Sequence, residues 1–138
     1  MKYLITLLLI LMLVLTACKD SVSESQRYPD LFYIGISKEK PAFHDFELRN
    51  PSTITYYYYV VLDSIVVYEM MVKEGEGWTS YPTYFGDMPA ALNRLTGKQN
   101  LRFQVFPPRG NLPYRIAVGL YSADKALKIK LWSNPVEN

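Results

Sequence analysis

The feature that most constrains the fold is an alternation of apolar and polar residues with a period of two. Leu101, Phe103 and Val105 alternate with polar neighbours, and the same pattern recurs at residues 114–120 and 127–131. Successive side chains of a β-strand point to opposite faces of a sheet, so this period predicts strands with one buried face. We therefore predict an all-β domain.

Residues 54–72 are the one segment that also fits another structure. The stretch is 19 residues long and mostly apolar, long enough to cross a bilayer. Asp63 and Glu69 lie inside it, however, and each would cost about 2.5 kcal/mol or more near the bilayer centre. The β-branched and aromatic residues favour two strands broken near Asp63 and Ser64. Within residues 56–59, all tyrosine, alternation puts two rings in the core and two on the outside, either exposed or covered by a neighbour.

Turn signals divide the rest of the chain. Residues 74–77, Glu-Gly-Glu-Gly, predict a hairpin turn that joins a strand ending near Lys73 to a short strand around Trp78. Asn-Pro-Ser at residues 50–52 supplies a second turn. The one helical turn predicted after the N-terminal segment has Asp87 as its cap, Pro89 near its first position and Gly97 as its stop.

About seven short strands follow one another at spacings near ten residues, which is typical of a β-sandwich. Residues 112–118, Leu-Pro-Tyr-Arg-Ile-Ala-Val, resemble the penultimate strand of fibronectin type III and related immunoglobulin-like domains, with Tyr114 at the place of the tyrosine corner. The run from Phe46 through Trp78 to Ser133 is similar to small immunoglobulin-like bacterial envelope proteins of unassigned function. This resemblance implies an immunoglobulin-like β-sandwich over residues 31–138.

The N-terminal segment predicts export. Lys2 is followed by an apolar run over residues 3–15, and a helix of 13 residues rises only about 20 Å, short of the roughly 30 Å hydrocarbon core. Leu15-Thr16-Ala17-Cys18 follows at once and resembles the lipobox of bacterial lipoproteins. The resemblance implies that residues 1–17 are a signal peptide and that Cys18 is acylated, for example with palmitate, and becomes the first mature residue. An ordinary signal peptide with an incidental cysteine is the alternative.

The segment after Cys18 predicts a tether and, by analogy with lipoprotein sorting, an address. Residues 18–30 are polar and show no apolar periodicity. Lys19, in place of Asp, favours the outer membrane in a bacterium with two membranes, and otherwise the lipid holds the protein on the outer face of the cell membrane. We therefore expect a protein of the cell envelope that contacts the membrane through the lipid on Cys18.

Charge and residue counts exclude several functional classes. Removing Lys2 with the signal peptide leaves 14 Lys plus Arg against 13 Asp plus Glu, a net charge of +1, so nucleic acid is not an expected partner. One Cys and one His cannot form a standard zinc site, and neither a metal nor another cofactor is predicted. Glu74 and Glu76 suit a solvated hairpin tip far better than a cation site.

Catalysis has little support in the sequence. His44 and Asp45 are the one imidazole–carboxylate pair, but neighbours in a strand point to opposite faces, and no G-x-S-x-G nucleophile elbow exists. We expect His44 to be a surface residue on an early strand and the protein not to be an enzyme.

The aromatic residues of segment 78–87 are the strongest candidates for binding. This segment is predicted to be a loop, and flat rings with polar tips suit protein partners or sugar stacking. The alternative is that Trp78 and one tyrosine fill the core. We expect a non-catalytic interaction or accessory module with an envelope protein as partner, or else a module that binds glycan or peptide through this loop. The candidate binding residues are Trp78, Tyr81, Tyr84 and Phe85.

Overall fold

The computed structural model of the protein describes residues 27–83 and 89–137. Cys18, Tyr84, Phe85 and Asp87 lie outside these ranges, as does the predicted signal peptide. In the described part no helix is long and apolar enough to cross a membrane.

The described residues form two antiparallel sheets packed as a β-sandwich, which confirms the all-β prediction. The described residues contain ten strands: β1 (Asp30–Ile36), β2 (His44–Arg49), β3 (Tyr56–Val61), β4 (Ser64–Ile65), β5 (Val67–Glu74), β6 (Gly77–Tyr81), β7 (Ala91–Leu95), β8 (Asn100–Val105), β9 (Tyr114–Tyr121) and β10 (Leu127–Trp132). The smaller sheet has the order β1-β2-β8. The larger one has the order β4-β3-β9-β5-β6, with β10 also paired to β9 and β7 to β3.

The described part of the chain contains three more strands than the seven or so predicted, and one of them replaces the predicted helix. Ala91–Leu95 is strand β7, paired along β3 from Val60↔Ala91 to Tyr56↔Leu95. The helix prediction over residues 87–97 is therefore wrong for this stretch. The backbone groups of β3 offer a hydrogen-bonding edge, and strand pairing buries Leu95 completely, which outweighs a weak local preference for helix.

Both predicted breaks around the tyrosine-rich segment are confirmed. β3 and β4 are separated by Leu62 and Asp63, which both have positive φ, and residues 75–76 connect β5 to β6 as a hairpin. The four tyrosines of β3 alternate as expected: Tyr56 and Tyr58 are buried, and Tyr57 and Tyr59 are half-buried on the other face. The Tyr59 ring packs edge-to-face on Tyr121 at 4.8 Å.

The core lies between the sheets and is built from the inward residues of both. Strand β9 contributes most, because every second side chain along it is completely buried. Its inward residues pack against those of β1, β2 and β8 in the smaller sheet. The largest fully buried apolar side chains are Tyr114, Phe46, Leu48, Leu95, Ile116, Leu120, Val118 and Val136.

A buried asparagine joins the loops at one end of the sandwich. The Asn50 amide donates to the carbonyls of Ile54 at 2.7 Å and Thr96 at 3.1 Å, and its side-chain oxygen accepts from the Ser52 hydroxyl at 2.7 Å. Gly97 packs against this loop, where a Cβ would lie 2.8 Å from the Ser52 carbonyl oxygen. Gly97 is thus required for close packing and does not end a helix.

Candidate functional surfaces

The aromatic residues predicted to form one binding loop are divided between two faces. Trp78 and Tyr81 both lie in strand β6, which confirms the short strand predicted around Trp78, whereas the predicted loop is wrong for residues 79–81. Trp78 pairs with Lys73 and is half-buried on the outer face of the larger sheet. Tyr81 pairs with the buried Met70 and packs against the core. These two rings do not share a surface.

Trp78 belongs to a stack of rings and cations on the outer face. The Arg115 guanidinium carbon lies 4.6 Å from the centre of the Trp78 ring and 4.5 Å from that of Trp132. Cross-strand pairing brings these residues together, because Arg115 on β9 lies between β5 and β10. Arg115 Nη2 also donates to the Met71 sulfur at 3.5 Å.

Lys130 extends this stack on β10. Its ammonium lies 4.9 Å from the centre of the Trp132 ring and 5.2 Å from that of Tyr68, and it forms an ion pair with Glu69. Trp132 pairs with Ala117 and Lys130 with Gly119, whereas Arg115 lies beyond Trp132 in the opposite direction along β9. The Trp132 ring therefore contacts two cations, which compete with a sugar for its faces.

Tyr81 borders an apolar cavity of about 450 Å³ between the two sheets. Its hydroxyl accepts a hydrogen bond from the Arg109 backbone N–H at 3.4 Å. The cavity lies between β5 and β6 on one side and the end of β8 on the other. Its apolar lining includes Ile65, Val67, Met70, Val105, Phe106 and Pro107. This space is large enough for a sugar ring as well as for apolar side chains of a partner, and its mostly apolar lining favours the apolar side chains.

His44 is buried, so the prediction of a surface histidine is wrong. Strand β2 is the central strand of the smaller sheet, and its His44 side chain faces the larger sheet, with 7% exposure. The His44 Nδ1 atom lies 2.6 Å from the Tyr114 hydroxyl, and the Tyr33 ring is 5.4 Å from the imidazole. Burial lowers the pKa of His44, although the nearby Asp45 partly opposes this, and burial raises the pKa of Tyr114.

His44 and Asp45 do not act on each other as an oriented pair. The Asp45 carboxylate accepts a hydrogen bond from the Gln104 amide at 3.2 Å on the outer face of the smaller sheet, while His44 points inward. In the described ranges no three His, Cys, Asp or Glu residues come close enough to hold a metal ion. Glu74 and Glu76 are exposed at the hairpin, where the Glu74 carboxylate accepts a hydrogen bond from the Thr79 hydroxyl at 3.4 Å.

Strand β1 carries an exposed apolar surface that the sequence reasoning missed. Phe32, Ile34 and Ile36 are 36%, 44% and 62% exposed, and we call these three residues the β1 stripe. The Arg49 guanidinium covers one face of the Phe32 ring at 4.6 Å. The available signal was the run of four apolar residues at 31–34, because apolar residues at both parities leave one set outside a half-buried strand.

Comparison of the chain with protein-family models, with curated proteins and with solved structures finds no match.

Proposed function

We propose that the protein is a lipoprotein of the bacterial cell envelope, anchored by a lipid on Cys18, whose β-sandwich acts as a non-catalytic interaction module. The observation that carries the proposal is Leu15-Thr16-Ala17-Cys18 at the end of a short apolar run. The only cysteine of the chain stands at the position that a lipobox requires.

The properties of the folded domain support a role in binding. Its one histidine is held in the core against Tyr114, where it is poorly placed to exchange protons with a substrate. Its surface carries the β1 stripe and an apolar cavity beside Tyr81. A lipid anchor would hold these surfaces at a membrane, in the outer membrane if the bacterium has two.

Intact mass of the protein purified from membranes tests the anchor. We expect a chain that begins at Cys18 and carries two or three acyl groups, and a Cys18→Ser variant that stays as an uncleaved precursor. Ser21→Ala, a change in the tether, should leave cleavage and acylation intact. A mature chain with an unmodified thiol would contradict the proposal.

A second candidate function is peptide binding at the Tyr81 cavity, which is favoured by the apolar lining of that cavity. Tyr81→Ala should then weaken binding to a panel of extended apolar peptides, whereas Trp78→Ala, on the opposite face of the same strand, should not. Purified peptidoglycan serves as the glycan probe. Loss of glycan binding in Trp78→Ala, with unchanged peptide binding in Tyr81→Ala, would favour the glycan alternative instead.

A further inference from the structure

We propose that the β1 stripe lies in the headgroup region of the bilayer to which Cys18 is anchored, so that the sandwich rests on the membrane along its first strand. This inference rests on the proposed acylation of Cys18. It adds a second, non-covalent contact with the membrane and an orientation of the domain.

The stripe consists of large apolar side chains exposed to solvent, which is typical of a surface that binds a partner or a membrane. β1 is an edge strand of the smaller sheet, bonded on one side to β2. On the other side, the Tyr33 N–H donates to the Asn134 side chain at 3.3 Å, while the neighbouring Ile34 and Ile36 stay exposed. Exposed apolar residues on an edge strand favour association, and sequences usually place charges at such positions.

Other large exposed apolar residues of the described part do not form such a run. Leu62 lies at the turn between β3 and β4, and Phe106 follows β8 and packs its ring on Phe43 at 5.5 Å. Isolated residues of this kind are ordinary on protein surfaces.

The β1 stripe differs because its three members lie within five residues of one edge strand. A β-bulge between Tyr33 and Gly35 shifts the register, so Phe32 pairs with Glu47 and Ile36 with the inward-facing His44. The stripe therefore follows the edge of the sandwich rather than one face of the smaller sheet.

The length of the tether selects the membrane as the occupant. Arg27, the first described residue, follows Cys18 by nine residues, which can span at most about 30 Å. The stripe begins five residues further on. A short tether gives a high effective concentration of bilayer at this strand, so a contact too weak to act alone becomes occupied.

Basic residues flank the stripe and suit anionic headgroups. Arg27 precedes it, and Lys38 and Lys40 follow it, with Asp30 and Glu39 as the intervening acids. Long cationic side chains can reach phosphate groups while their apolar stems remain beside the stripe. These three cations against two acids give the edge a local excess of positive charge, which a bilayer that contains phosphatidylglycerol attracts.

Fluorescence of the acylated full-length protein tests the contact. Ile34→Cys introduces the one free thiol, because Cys18 is consumed by the lipid, and an environment-sensitive dye is attached there. The protein is reconstituted into vesicles of phosphatidylethanolamine and phosphatidylglycerol that carry a lipid with a nitroxide in the upper acyl chain. Asn93→Cys is the matched control. Asn93 is exposed on β7, which pairs with β3 in the larger sheet, whereas β1 lies in the smaller sheet beside β2.

We expect a blue shift and severalfold stronger nitroxide quenching at position 34 than at position 93. Adding Ile36→Ser, which removes an exposed apolar side chain without touching the core, should reduce the quenching while the thermal midpoint stays unchanged. Equal, weak quenching at both positions in protein whose mass shows acylation would overturn this inference and leave the proposed function standing. A blue shift without quenching would also overturn it, because a second copy would then cover the stripe. An unacylated mass would overturn both.

Discussion

Tyr114 and Arg115 are neighbours in strand β9, yet their side chains meet opposite conditions on the two faces of the larger sheet. Tyr114 points inward, is completely buried, and has its hydroxyl 2.6 Å from His44 Nδ1 in the other sheet. Arg115 points outward and lies against Trp78 and Trp132. Tyr114 thus links the two sheets through a hydrogen bond between its hydroxyl and an imidazole. Arg115 links three strands of one sheet through contacts between its guanidinium and two indole rings.

The difference shows that burial, and not the type of contact, sets how much each residue is expected to contribute to the free energy of unfolding. Inside, a polar atom that loses its partner pays the cost of desolvation, because water cannot replace the partner. Outside, water can solvate an arginine that loses its rings, so the cation–π contact adds only a modest stabilisation. Substitutions on the inner face should therefore cost more than matched substitutions on the outer face.

The largest expected effect is that of a charge on the inner face of β9. Val118→Asp places an unpaired carboxylate at a completely buried position and should destabilise the domain by about 4 kcal/mol or more, enough to prevent folding. Lys128→Asp, at an exposed position of β10, should leave a strand-rich circular dichroism spectrum and a cooperative thermal transition. A folded Val118→Asp variant would contradict the assignment of the inner face.

Loss of the bridge between the sheets should be the next largest effect. Tyr114→Phe keeps the ring but leaves His44 Nδ1 without its hydroxyl partner, and it should cost about 1–3 kcal/mol in denaturant unfolding. Tyr59→Phe provides the control, since the half-buried Tyr59 ring keeps its packing on Tyr121 without its hydroxyl. Equal losses in the two variants would show that burial does not separate the two faces.

Disruption of the outer stack should have a smaller effect. Arg115→Met retains much of the aliphatic volume but removes the cation between Trp78 and Trp132, and it should cost about 1–2 kcal/mol. The matched variant Arg94→Met, at an exposed position of β7, should change the unfolding free energy by less than about 0.5 kcal/mol. A loss larger than that of Tyr114→Phe would reverse the ranking of the two faces.

The smallest effect should be a pH dependence that arises from the buried His44. Because burial lowers the pKa of His44, the unfolded chain takes up a proton before the folded chain does. Stability should then be full above the ordinary histidine pKa of 6.5 and fall as pH decreases from there to the folded-state pKa. Thermal midpoints should fall by a few degrees in this window in the native protein.

His44→Gln should flatten that part of the pH profile. A second loss belongs to Glu47, whose pKa the Arg49 hydrogen bond lowers below its ordinary value of 4.5. That loss should begin only at more acidic pH and should be unchanged in the His44→Gln variant. An unaltered slope around pH 6 in this variant would rule out His44 as its source.

The strand pattern of the chain was predictable where apolar and polar residues alternate strictly. β8, β9 and β10 are where the period of two places them, and the glycines of residues 74–77 mark the β5–β6 hairpin. The same reasoning failed at β7, because Ala, Leu and a preceding Pro suit a helix unless a neighbouring strand offers its edge. β3 offers that edge, and its place in space is not a local property of residues 91–95.

The surfaces were less predictable than the strands. The aromatic cluster at residues 78–85 marked a region of interest, but the sequence did not reveal that Trp78 and Tyr81 face opposite ways. It also gave no sign that Arg115 and Lys130 would lie against the Trp132 ring. These partners come from strands distant along the chain, and only sheet pairing brings them together.

The sequence by itself determined the all-β character, the alternating faces of the tyrosine strand and the hairpin at residues 74–77, because each depends on neighbouring residues and on the backbone freedom of glycine. The tertiary structure decided which groups are buried and which rings are covered. His44 became a core residue because β2 lies between β1 and β8 and turns its imidazole toward Tyr114. The β1 stripe stays exposed because β1 is an edge strand. Both outcomes depend on the order of strands within the sheets, which sets solvent exposure and which local alternation does not specify.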